Sequence, residues 1–233
     1  MLNNPTSEQM PAYYPLMVDI RGRKCVVVGG GEVARRKVEG LLAAGASVTV
    51  VAPTCVSLPA CVEVISREFA PHDLDGAWLV IAATADQLVN ADVAAAATAR
   101  HIWVNAADDP LSCTAILPAV VRRGLLCLTV STSGASPVWA RRLRDELAVQ
   151  FGAEYCEMAK LLWEARQGWK GRGMHLTPEQ RKRAWEAVLE LPLLVLIRNE
   201  QLDAAKTAIL SSLEQALCEG EAGLPTRENG EAG

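Results

Sequence analysis

Residues 24–54 read KCVVVGGGEVARRKVEGLLAAGASVTVVAPT, and no other stretch of the chain narrows the possible folds so much. A buried-strand run passes into a glycine-rich turn, then a helix, then a second buried-strand run. Gly29, Gly31 and Ala34 form G-x-G-x-x-A at the strand-to-helix junction, with Gly30 between the two glycines. Gly29 permits the tight turn. Gly31 removes the side chain that would keep a diphosphate from the backbone, and Ala34 lets the helix lie close to the strand. The helix start presents free N–H groups and a positive dipole end to phosphates. The plain alternative is a glycine turn that serves packing only. Two strand-like runs at the right distance favour dinucleotide binding over it.

The rest of the first half repeats this alternation. The pattern predicts strands over 24–28, 47–52, 62–65, 78–83 and 102–105, with helices over 33–44 and 86–100. Gly45 suits a helix C-terminus, and Tyr14–Asp19 reads as a short edge segment before the first strand. Strand alternating with helix predicts an α/β fold, a Rossmann-type doubly wound parallel sheet. Half of the residues are hydrophobic and the mean hydropathy is +0.13. Much of that is alanine and valine, as a parallel sheet covered on both faces requires.

In such a sheet the ligand crevice lies at the carboxyl ends of the strands. Thr84 follows one strand there, and Asn105-Ala-Ala-Asp108-Asp109-Pro110 follows another. The second strand ends Val51-Ala52-Pro53-Thr54. It lacks the acidic residue that commonly holds an NAD ribose, and no basic residue follows at once to accept a 2′-phosphate. Thr54 and the backbone beside it are left to supply ribose hydrogen bonds, and the balance favours NAD over NADP.

Composition excludes several classes. No apolar run reaches membrane-spanning length, and MLNNPTSEQM has no basic region followed by an apolar stretch, so neither a membrane span nor a signal peptide is expected. A net charge of -4 and a pI near 5.5 argue against bulk nucleic-acid binding. The seven cysteines show neither C-x-x-C spacing nor a nearby histidine at metal-ligand spacing. They are read as buried free thiols in a reducing, cytoplasmic setting, and no metal site is expected.

The second half changes character. Residues 114–121 and 125–131 are apolar runs about the turn Arg122-Arg123-Gly124, with Pro118 demoting the first to an edge or bulged strand. Such a hairpin exposes edges suited to a partner subunit. Ser131-Thr132-Ser133-Gly134-Ala135-Ser136-Pro137 then leads into a helical run carrying Arg141, Arg142 and Arg144. Ser136 suits an N-cap and Pro137 the first helical position. Hydroxyls, a flexible backbone and a helix start together make an anion site. Further helices are predicted over 153–168, 178–190 and 200–217, with Trp163, Trp169 and Trp185 in their core and His175 in a connecting loop. The expected organisation is a dinucleotide-binding domain over 11–113, a dimerisation segment over 114–150, a helical domain over 151–218 and a disordered tail over 219–233.

These features together resemble the precorrin-2 dehydrogenase/sirohydrochlorin ferrochelatase family. That family includes a module of siroheme synthase and stand-alone homologues. The resemblance rests on Pro15-Leu16, VVVGGGEVARRKVEGLLAAGASVTVVAP, AATAD at 82–86, NAADDP at 105–110 and STSGASPVWARRLRDEL at 131–147. It is strong over about residues 13–150 and loose beyond. It implies a homodimer in which the chain crosses between subunits, and NAD+ as hydride acceptor. It implies cofactor contacts from the backbone around Glu32-Val33 and Pro53-Thr54. It implies Asp108 as the catalytic carboxylate, with Asn105 as its neighbour. The serine-rich loop matches 131–136; Thr132 stands where some fused members carry a phosphorylated serine, and Ala115 where a phenylalanine is usual. With the chain ending at 233, no methyltransferase domain is expected.

The implied reaction is NAD-dependent dehydrogenation of precorrin-2, a flexible polycarboxylate tetrapyrrole, to sirohydrochlorin. Asp108 would serve as base, and Asn105, Ser131, Thr132, Ser133, Ser136 and Arg141 would bind the substrate, with Arg142 beside them. Two alternatives stand beside it. One is a bifunctional enzyme that also inserts Fe²⁺ into sirohydrochlorin. The other is a regulatory module that senses NAD without chemistry.

Overall fold

Five parallel strands run in the order β3-β2-β1-β4-β5: β1 Lys24–Val28, β2 Ser47–Val51, β3 Glu63–Ile65, β4 Leu79–Ala82 and β5 Trp103–Ala106. β1 is central, in register with β2 from Lys24 opposite Ser47 to Val28 opposite Val51, and with β4 from Cys25 opposite Leu79 to Val28 opposite Ala82. This computed structural model describes residues 13–107 and 109–222. They fall into two compact units. One is the chain up to Pro118 with Ser131–Pro137; the other is Ala119–Val130 and everything from Val138 onward.

The β-branched run of β1 explains the layering. Successive side chains point to opposite faces, and both faces are covered. Cys25 and Val27 join Ala34, Val38 and Leu41 of helix α1 (Glu32–Ala43) on one face. Val26 and Val28 join Val93, Ala94 and Ala97 of α2 (Gln87–Thr98) on the other. Burying each of these valines contributes roughly 1.5–3 kcal/mol. With α1 and α2 on opposite faces, the strand order reverses between β1 and β4, and a crevice opens at their carboxyl ends.

The connection from β3 to β4 is held by a nearly buried acid. Asp73 is 5% exposed. It accepts from the Arg67 guanidinium at 2.9 and 2.5 Å and from the Ala70 N–H at 2.8 Å. The Arg67 hydrogen bonds hold its carboxyl below the usual carboxylate range, against a smaller upward push from burial.

In the second unit, β6 (Ala119–Arg123) and β7 (Leu126–Val130) form an antiparallel hairpin. Helices α3 (Pro137–Gln150), α4 (Glu154–Trp169), α5 (Pro178–Glu190), α6 (Leu193–Arg198) and α7 (Leu202–Ala222) follow. Ala165, Trp169, Val188, Leu193, Ile197, Ile209 and Leu213 form their core. Trp169 and Trp185 meet edge to face at 5.8 Å. Arg123 closes the end of α3 by donating to the carbonyls of Ala148 at 3.0 Å and Phe151 at 2.9 Å.

Several expectations need correction. Residues 13–20 form no strand, and Tyr14, Leu16 and Met17 are exposed. The first hairpin strand starts only at Ala119, because Thr114 and Ala115 turn back to bond β5 and Pro118 has no N–H to donate. Trp163 is 53% exposed, so only Trp169 and Trp185 pack the core. LLVLIR at 193–198 makes the short α6, which an all-apolar run conceals from a periodicity reading. His175 closes a 3-10 turn, Arg172–His175, rather than an open loop. α7 takes in 219–222, which composition assigns to the tail; 223–233 lie outside the described residues, as do 1–12. Of the seven cysteines, Cys25 is buried, while Cys55, Cys61 and Cys218 are exposed; all are free thiols.

Replacing Asp73 by Asn should cost roughly 1–3 kcal/mol, since the Arg67 pair loses its charge while the site stays buried. The carboxyl pKa is depressed in the folded state, so its contribution is fully present above the unfolded value near 3.9 and fades as pH falls through the folded value. Denaturant unfolding should show the wild-type advantage at neutral pH and its loss below about pH 4. An advantage independent of pH would contradict the ion-pair account.

Candidate active site

The glycine turn is shaped by backbone crowding. Gly29 has φ +126°, and a Cβ there would lie 2.4 Å from the Ala83 carbonyl oxygen. A Cβ on Gly30 would lie 1.9 Å from the Thr54 carbonyl oxygen and 2.9 Å from Cys55 Cα. Gly29 N–H donates to Val51 O at 3.0 Å, and Val56 N–H donates to Gly30 O at 2.9 Å, so the segment after β2 is laced to the turn. The role of Gly30 was not legible from the motif, where it occupies a free position.

Gly31 is different. Its φ of -87° suits any residue, and a Cβ on it would meet nothing within 4 Å. No fold contact therefore demands glycine there, whereas a ligand approaching the backbone does. Gly31 is the N-cap of α1 and supplies no side-chain cap. The first intrahelical bond is Arg35 N–H to Gly31 O at 3.0 Å, which leaves the N–H groups of Glu32, Val33 and Ala34 without an acceptor one turn back. Glu32 in the first turn would oppose an anion, but Arg35 binds its carboxylate at 2.8 Å. Val33, Pro53 and Thr54 are exposed. The residues present fit a dinucleotide diphosphate: open space over Gly31, unpaired N–H groups, and a neutralised local acid.

Across the crevice, Thr84 is held by Asn90 of α2, which no sequence motif marks. Asn90 is 5% exposed. Its amide oxygen accepts from Thr84 N–H at 3.2 Å and Thr84 Oγ1 at 2.9 Å, and its amide nitrogen donates to Thr84 O at 3.1 Å. Thr84 Oγ1 lies 2.8 Å from Asp86 O, so the hydroxyl is engaged in the turn before α2. A lone polar residue on a helix face gives no sequence signal of such a clamp.

The loop after β5 is equally constrained. Asn105 Nδ2 donates to Ala115 O at 3.0 Å. Ala107 N–H donates to Ala82 O at 2.8 Å, and Thr114 Oγ1 accepts from Val104 N–H at 2.9 Å. Asp109 Oδ1 accepts from Ser112 N–H at 3.3 Å, while its other oxygen accepts from the Ser112 hydroxyl, capping the 3-10 turn Pro110–Ser112. That hydroxyl holds the Asp109 carboxyl below its ordinary range. Asp108, the expected catalytic carboxylate, lies outside the described residues. Lys37 on α1 is half-buried, and burial chiefly pushes its pKa down, with Arg36 adding to the shift.

Ser131–Pro137 belongs to the first unit and Arg141 to the second. Within the loop, Thr132 Oγ1 accepts from Ser136 N–H at 3.0 Å and donates to Ser136 O at 3.1 Å. Ser133 N–H donates to Ser131 Oγ at 3.1 Å. Ser133 and Gly134 both adopt left-handed φ, 52° and 90°. The Thr132 hydroxyl thus shapes the turn, and Ser136 stands directly before Pro137 at the start of α3. Arg142 pairs with Glu146 at 3.1 Å and Arg144 with Asp145 at 2.6 Å. Among the described residues, no three His, Cys, Asp or Glu side chains are grouped to hold a metal ion. No described helix is long and apolar enough to cross a membrane.

Comparison with known proteins bears on this site. Residues 16–119 match a family model described as "Putative NAD(P)-binding", and residues 123–150 match "Sirohaem biosynthesis protein central". Siroheme synthase of Photorhabdus laumondii is 36% identical over 227 residues, covering 95% of this chain and 48% of that protein. Siroheme synthase of Methylobacillus flagellatus is 41% identical over 201 residues, covering 84% and 43%. The chain therefore spans about half the length of the curated relatives it matches. Among solved structures, SirC, precorrin-2 dehydrogenase, aligns with a TM-score of 0.62 and 27% identity over 87% of this chain and 100% of that one.

The two adjacent glycines should separate fold from binding. Gly31→Val places its side chain in open space and should leave thermal stability nearly unchanged while abolishing NAD+ binding in calorimetry. Gly30→Val drives a side chain into the Thr54 backbone and should destabilise the fold itself. A folded Gly31→Val protein with wild-type NAD+ affinity would remove the diphosphate from this turn.

Proposed function

We propose that this chain, which belongs to the family joining precorrin-2 dehydrogenases and siroheme synthases, oxidises precorrin-2 to sirohydrochlorin with NAD+. One observation carries the reading: the uncapped start of α1 beneath open space at Gly31, in the crevice where the β5 loop also ends. Backbone N–H groups at Gly31–Val33 hold the diphosphate, and the segment Pro53-Thr54 borders the adenosine ribose. Thr84, fixed by Asn90, borders the crevice from β4.

The reaction balances as precorrin-2 plus NAD+ giving sirohydrochlorin, NADH and a proton. The nicotinamide, when bound, accepts the hydride. The protein holds the ring against it and takes the proton on the Asp108 carboxylate. Asp108 follows Ala107, which is tied to β4, and precedes Asp109, which is tied to Ser112, so both chain neighbours are fixed. Asn105 serves that loop by binding Ala115 O. Ser131, Ser133 and Ser136 bind the carboxylates of the substrate, with Thr132 stabilising the loop that presents the serines. No basic side chain follows β2 to accept a 2′-phosphate, so NAD+ is preferred to NADP+. The protein works in the cytoplasm as a homodimer, using the exposed apolar positions Val120 and Leu125 of the hairpin and Val138 and Trp139 of α3.

Asp108→Asn keeps size and most hydrogen bonding but removes the base. It should lower turnover by roughly 10²–10⁴-fold with NAD+ affinity preserved, while Asp109→Asn should change turnover little because Asp109 caps the turn. Sirohydrochlorin formation followed by absorbance provides the readout. The opposite ranking would place the base on Asp109, and full activity in both would assign proton removal to solvent.

Light scattering at micromolar concentration should give the mass of a dimer. A fully active monomer would contradict the shared interface.

A further inference from the structure

We infer that the Cys113 thiol is a positioning residue, the pin that holds Ala106 and Asp109, which flank residue 108 in the chain; this rests on the reading of Asp108 as the base. Cys113 Sγ accepts from Ala106 N–H at 3.1 Å and lies 3.7 Å from Asn105 Nδ2. It also lies 3.4 Å from Ala106 O and 3.3 Å from Asp109 O, either of which its single proton can serve. One sulfur thus accepts from Ala106, before residue 108, and with its proton turned to Asp109 O also ties the residue after it. The backbone on either side of Cys113 is anchored as well. Thr114 and Ala115 N–H both donate to Val104 O at 3.0 Å, and Cys113 N–H reaches Pro110 O at 3.3 Å.

The chemistry of the thiol fits this task. Burial chiefly pushes the Cys113 pKa up and Asp109 adds to that, while the Ala106 N–H and Lys37 pull the other way. The group therefore stays a neutral S–H, able to accept and donate at once. A large, polarisable sulfur reaches partners that a methyl group would leave unbonded. Ala106 N–H is nearly buried, its residue being 5% exposed, so removing the sulfur orphans a donor with little access to water. The loop would then relax, and a displacement near 1 Å of a catalytic group is enough to slow chemistry about a hundredfold.

The test compares Cys113→Ala, Cys113→Ser and the surface control Cys218→Ser in the full chain, with Asp108→Asn alongside. Cys113→Ala should lower kcat roughly tenfold to a hundredfold with KM for NAD+ unchanged. Hydrogen exchange at the Ala106 amide should speed up several-fold, while exchange within β1 and β2 stays put. Cys113→Ser, which keeps a donor and an acceptor on a shorter arm, should recover much of both. If Asp108→Asn is inactive but Cys113→Ala keeps full kcat, the pin is overturned and the catalytic reading stands. If Asp108→Asn is active, the catalytic reading falls, and with it the role assigned to the pin. Unchanged Ala106 exchange in Cys113→Ala overturns the pin whatever the kinetics. A loss of kcat that serine does not relieve, with faster exchange across the whole sheet, marks general destabilisation and also overturns it.

Discussion

The site depends on how closely three backbone segments approach at the end of β1. Gly29 lies against Ala83 at the end of β4, and Gly30 lies against Thr54 after β2. No side chain fits in either contact. That crowding fixes the turn, and the turn fixes the first residues of α1. It also determines what is left open: Gly31, one residue further on, faces unfilled space. The contrast between adjacent glycines separates what the fold requires from what a ligand requires. Two are demanded by packing, and the third is explained by a diphosphate.

Around this turn, buried and half-buried polar side chains do the positioning rather than the chemistry. Asn90 binds Thr84 through three hydrogen bonds, Asn105 binds Ala115, Asp109 caps its own turn, and Thr132 bridges Ser136. An unpaired amide at the depth of Asn90, which is 5% exposed, would cost about 1–3 kcal/mol. The result is a crevice whose described walls are tied by hydrogen bonds within the protein. Such ties suit the proposed hydride transfer, since the reacting atoms must be held in a narrow range of distance and angle.

The strand–turn–helix–strand unit was legible because it is local: two continuous β-branched runs, glycines at fixed offsets and a helical stretch between them all lie within 24–54. Alternation of strand and helix made the parallel sheet legible; its order, β3-β2-β1-β4-β5, came only with the structure. What escaped the sequence was non-local or carried by residues without a characteristic pattern. Asn90 and Cys113 act on the backbone of other segments, and nothing in their neighbourhood announces it. Thr114 and Ala115 look like strand residues, yet they return to Val104 instead of extending the hairpin. Trp163 shares the type of Trp169 and Trp185, but only its place on α4 decides that it faces solvent. Hydroxyls that suggested ligand contacts, Thr84 and Thr132, turn out to be engaged within their own loops.

The central claim is that one crevice brings the dinucleotide and the tetrapyrrole together, so that the hydride leaving one arrives on the other. An anaerobic single turnover with enzyme in excess of precorrin-2 measures this directly. NADH and sirohydrochlorin should appear in equal amounts and at the same rate. Sirohydrochlorin formed without NADH, or NAD+ bound tightly with neither product formed, would contradict the account.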